Sequence, residues 1–108
     1  MATKHKRLST NQLTGSLVTQ YTVPASTNTT RICFLIHNTD SAQHTVTIHH
    51  VPSGGSALAT NIFWEDVVLP NSTNQWVDLG SLSAGDFISA KADTGALVNL
   101  QISGDEVV

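Results

Sequence analysis

Five histidines, His5, His37, His44, His49 and His50, are the side chains with the most obvious capacity for chemistry. If residues 32–37 and 44–51 form a hairpin, His37 and His44 face each other across it, and two imidazoles could hold zinc or nickel weakly. A stable site takes three or four ligands, and no cysteine or carboxylate stands at ligand spacing beside them. His49 and His50 are adjacent, so on a strand they point to opposite faces. The histidines therefore read as surface and turn residues, and the chain is expected to need no metal and no cofactor.

Nucleophilic and acid–base chemistry fare no better. None of the serines sits in a Gly-x-Ser-x-Gly elbow. Cys33 lies in the most apolar run, Ile32-Cys33-Phe34-Leu35-Ile36, and reads as an inert core thiol. Glu65 and Asp66 are neighbours that point apart on a strand, a poor geometry for two carboxylates acting on one bond. Pro52-Ser53-Gly54-Gly55-Ser56 lacks the lysine and the following helix of a phosphate loop. No catalytic residue is assigned. Trp64 and Trp76 could stack on sugars at an exposed face, the one binding chemistry this chain offers; otherwise they belong to core or interface.

The elements that must position these groups read as strands. Leu17, Thr19, Tyr21 and Val23 alternate with Val18, Gln20 and Thr22 before Pro24. Residues 31–37 form a continuous apolar run of strand length, the pattern of a central strand covered on both faces. Val46 and Ile48 alternate with Thr45 and Thr47. Residues 62–69, 75–79, 87–92 and 97–102 complete the set, and turns are expected at 52–55, 71–74, 83–86, 93–95 and 103–105. Residues 57–61 fit no one element. Short strands broken by turns every ten residues or so predict an all-β fold, a single antiparallel β-sandwich or jelly roll, with little helix. Ile32, Phe34, Ile36, Val46, Ile48, Val98, Leu100 and Ile102 are its expected core.

Residues 1–14 show no period and read as a flexible basic N-terminal arm ahead of a β-sandwich domain over 15–108. Three of the chain's five cations, Lys4, Lys6 and Arg7, lie in it. The remaining sequence holds Arg31 and Lys91 against eight carboxylates, a poor match for a nucleic-acid backbone. Charged residues make up only 12% of the chain, while 14 Thr, 11 Ser and 7 Asn supply uncharged polarity, a composition that excludes coiled coils and charge-rich disorder. No apolar run reaches the ~20 residues of a membrane helix. A single cysteine allows no internal disulfide, so the fold must hold by its core alone.

The ordered string Tyr21-Thr22-Val23-Pro24-Ala25, Asn38-Thr39, Val51-Pro52-Ser53-Gly54-Gly55, Leu82-Ser83-Ala84-Gly85-Asp86, Ile88-Ser89-Ala90 and Ser103-Gly104 resembles a group of small tailed-bacteriophage virion proteins. The resemblance spans about residues 13–105. It implies a β-sandwich structural subunit of a virion, without enzymatic activity. Its partners would be the major capsid protein or other virion proteins. The place on the particle would be either the head shell, as a capsid decoration (cement) subunit, or the tail, collar or fibre. Such proteins act on symmetric lattices, so a trimer or dimer is expected. Phe63, Trp64 and Val68, in a run too apolar for alternating exposure, are candidates for core or oligomer interface. Lys4, Lys6 and Arg7 are the candidate contacts to carboxylates of a partner.

Overall fold

The computed structural model describes the backbone of residues 3–93 and 97–108, and the side chains of all of these except residues 59, 63 and 76–80. Eight strands follow one another: β1 (Thr3–Gln12), β2 (Val18–Thr22), β3 (Asn28–Asn38), β4 (His44–Val51), β5 (Ile62–Val68), β6 (Thr73–Leu82), β7 (Phe87–Ala92) and β8 (Val98–Val107). A 3-10 turn, Ala59–Asn61, precedes β5 and settles the ambiguous 57–61 stretch. The first sheet has the order β1-β8-β3-β6 and the second β2-β7-β4-β5, with every pairing antiparallel. This is the expected β-sandwich.

Most consecutive strands lie in opposite sheets; among the described strands only β4 and β5 are hydrogen-bonded neighbours in sequence. Side-chain parity lines the inner face of each sheet. Ile32, Phe34 and Ile36 occupy one face of β3, and Val46 and Ile48 one face of β4. These faces meet across the core between the two sheets. All eight expected core residues are at most 1% exposed, and Leu13, Val23, Val68, Leu82, Ile88, Ala90 and Ala92 complete the core cluster.

Four expectations are corrected. First, β3 is covered on one face only: Leu35 is exposed and Cys33 half-buried, so Cys33 is not a core thiol. A run of apolar residues carries no parity signal that would have shown this. Second, residues 103–105 do not turn but continue β8 to Val107. A Cβ on Gly104 would come within 3.1 Å of the Thr30 carbonyl, so glycine there marks a close passage of strands beside the β3 bulge, where Arg31 takes φ 54°. Third, β3 and β4 form no hairpin, because residues 39–43 carry the chain from one sheet to the other.

Fourth, Thr3–Gln12 is not a loose arm. It runs antiparallel to β8 from Thr3 opposite Val107 to Gln12 opposite Asn99, with a bulge between Arg7 and Ser9. Leu8, at the bulge, packs against the core. A polar edge strand has one face in water and the other at the rim of the sandwich, so it shows no apolar alternation to be read.

Candidate functional site

Two polar clusters join the sheets. At one end, Glu106 of β8 projects inward on the same parity as Leu100 and Ile102 and is only 6% exposed. Lys6 of β1 places its Nζ 2.7 Å from one carboxylate oxygen. The Tyr21 hydroxyl of β2 donates to the other at 2.6 Å. The phenol has one proton, so at 2.8 Å it accepts from the Thr29 hydroxyl of β3. Burial, and then the Glu106 carboxylate, push the Tyr21 phenol up to about 12. The Lys6 ammonium and the Tyr21 hydroxyl hold the Glu106 carboxyl below its usual range. The phenol is thus fixed as a donor and the carboxylate as an acceptor: a staple through four strands.

At the other end, His44 of β4 is buried between two carboxylates. Its Nε2 lies 2.7 Å from Asp40 and its Nδ1 2.6 Å from Asp93. Asp93 also accepts the Thr45 N–H at 3.0 Å. The hydrogen bonds to Asp40 and then Asp93 raise the imidazole above its ordinary value, and the imidazole in turn lowers Asp40. In its protonated form both ring nitrogens donate to these carboxylates, and in that form the ring has no lone pair to offer a metal or a proton. Asn38 completes the corner, donating to the Ala42 carbonyl at 2.8 Å and the Val68 carbonyl at 3.1 Å.

The remaining histidines are dispersed. His37 bonds the Thr73 hydroxyl at 2.6 Å, in the sheet opposite His44, so the hairpin metal pair does not form. His49 is buried with no hydrogen-bond partner on Nδ1, and desolvation lowers its pKa. His5 pairs with Asp105. Among the described residues no group of three His, Cys, Asp or Glu could hold a metal ion. A groove of about 460 Å³ on the outer face of the first sheet is lined by Thr10, Gln12, Leu35, His37, Asn99 and Gln101, a set without a carboxylate or a cation.

Among the candidate contact residues, Lys4, Lys6 and Arg7 stand on β1, and Lys6 is held by Glu106 of the same chain. Val68 is fully buried and belongs to the core, not to a surface. Trp64 is partly buried and packs against that core. The side chains of Phe63 and Trp76 lie outside the described residues. Sequence reading missed Tyr21, Glu106, Asn38 and the two aspartates around His44. Parity alone could have turned Glu106 inward; the aspartates come from separate loops, and nothing local announces their convergence. No described helix is long and apolar enough to cross a membrane.

No protein-family model and no curated protein sequence matches the chain. Among solved structures, it is similar to a chain of the Bacillus endospore appendages, a family of disulfide-linked pili. The TM-score is 0.56 at 14% identity, over 99% of this chain and 87% of that one. A chain of the infectious bursal disease virus Gx strain gives a TM-score of 0.46 at 11% identity, over 97% of this chain and 31% of its own length. At such identities the first likeness concerns the fold, a two-sheet sandwich shared from end to end.

Proposed function

We propose that the chain is a structural subunit of an assembled particle, and specifically a bacteriophage virion protein that decorates the capsid. The observation that supports this reading is the fold: a two-sheet sandwich similar over 99% of the chain to a chain of the disulfide-linked endospore pili. In both clusters the reactive groups are held by partners within the chain, which suits a scaffold and not an enzyme. The ordered string of virion-like turns adds the phage assignment and the decoration role. A tail, collar or fibre component is the second reading, because the same string fits those positions.

Sugar binding at Trp64 loses ground, since that ring packs against the core. The N-terminal residues act in this reading as an edge strand, so attachment falls to the surface of the folded sandwich. The test is to mix the purified protein with phage heads and, separately, with tails, each lacking it, and to locate it in a map of the intact particle. Saturable binding to heads supports decoration. Binding to tails alone selects the second reading, and binding to neither removes the virion assignment.

A further inference from the structure

Both sheets end in edges that no described strand covers. β1 and β2 lie on one side of the sandwich, where Asn11 donates to Gln20 at 2.9 Å. β5 and β6 lie on the other, joined through residues 69–72. An uncovered edge presents a row of unpaired N–H and C=O groups, and proteins commonly guard it with charge.

Here the guarding charges have opposite signs on the two sides. β1 and β2 carry Lys4, Lys6 and Arg7 and no carboxylate. β5 carries Glu65 and Asp66 and no cation. Lys6 is paired with Glu106, but Lys4 and Arg7 make no ion pair among the described residues. On the other side Glu65 accepts the Thr47 hydroxyl at 2.7 Å, with Lys91 of β7 lining the same groove, and Asp66 accepts the N–H of Val67 at 2.7 Å; among the described residues neither makes an ion pair. Exposed apolar side chains lie at both sides as well: Leu17 just before β2 and Val18 on it, Ile62 and Val67 on β5. Like edges would bring like charges together, which is unfavourable, whereas unlike edges bring cation to carboxylate and apolar to apolar.

We propose that the β1–β2 side of one copy docks against the β5–β6 side of the next, so that the partner of each edge is a second copy of this chain. Strand addition supplies backbone hydrogen bonds, and the edge charges set the polarity of the contact. Such a contact is heterologous: it repeats head to tail, into a ring or an open row, and does not close as a two-fold dimer. The proposal rests on the structural-subunit reading, but its test uses the purified chain alone, so its failure leaves the particle-binding test standing.

The experiment is sedimentation velocity of the full chain over a range of concentrations, at about 50 mM and about 500 mM salt. The expected result is a concentration-dependent series of oligomers that weakens by about tenfold in affinity at the higher salt. Lys4→Glu with Arg7→Glu, and separately Glu65→Lys with Asp66→Lys, each abolish the series. The fourfold variant carrying both reversals restores it, because its edges are again opposite in sign. Circular dichroism checks that each variant keeps its strands; should a reversal disturb β1, Lys4→Gln with Arg7→Gln carries the same test through a lost salt dependence. A monomer under all conditions, a closed dimer, or an association lost in only one of the two reversals overturns the proposal.

Discussion

The hydroxyl of Tyr21 and the carboxylate of Glu106, 85 residues apart in sequence, meet at 2.6 Å across the two sheets. One oxygen of Glu106 is thereby satisfied by the second sheet and the other by Lys6 of the first. Neither partner is dispensable, because a buried carboxylate that loses a donor keeps its desolvation cost.

Tyr21→Phe therefore lowers stability by about 2 kcal/mol, the cost of removing one donor from a buried charge. Urea unfolding checks this. Thr29→Val costs less, about 1 kcal/mol, since it removes a neutral partner of the phenol. Equal costs would mean that the carboxylate does not depend on the phenol.

The His44 corner gives a pH signature. Its folded pKa lies above the unfolded 6.5, so its contribution is complete below that value and is lost as pH rises through the folded one. His49 has the opposite sign: its folded pKa is depressed, so its contribution holds above 6.5 and fades as pH falls towards the folded value. Asp40 and Glu106, both lowered, lose theirs further into acid, below 3.8 and 4.5. Melting temperatures from about pH 5 to about pH 9 should decline on the alkaline side in the native protein and much less in His44→Gln. Ring-proton NMR titration should place His44 above and His49 below the ordinary histidine value.

Gly85 closes the turn from β6 to β7 with φ 87°. An added Cβ would stand 2.5 Å from the Ser53 hydroxyl oxygen. Gly85→Ala should cost more than about 1 kcal/mol, measured by thermal unfolding. Adding Ser53→Gly removes the clash but not the backbone strain, so recovery should be partial. Full recovery would show that sterics alone hold this turn.

Removing residues 1–12 uncovers the whole edge of β8 and takes Lys6 from Glu106. The truncated protein should unfold at lower urea concentration and precipitate more readily, as an uncovered inner strand invites pairing with other chains. A truncation without effect on the urea midpoint would restore the view of this segment as a loose arm.

The sandwich was legible because its inward positions alternate. Ile32, Phe34, Ile36, Val46, Ile48, Val98, Leu100 and Ile102 announce a face each, and turn residues separate the strands that carry them. β1 was not legible, because Thr3–Gln12 is polar on both faces and only its pairing with β8 makes it a strand. Nor was the change of sheet between β3 and β4, since parity says which way a side chain points but not which strand lies beside it. The His44 and Glu106 clusters arise from residues brought together by the whole topology. Such clusters leave no local pattern in one sequence.

Thr3 lies opposite Val107, so the first and last strands of the chain meet side by side at one end of the sandwich. A short linker across that gap would close the backbone into a circle without disturbing a strand pairing. New ends could then be opened in the exposed Pro52–Gly55 loop, giving a circular permutant with the same eight strands. The same geometry means that two different peptides, fused one to each terminus, would be displayed from a single point and held within reach of each other.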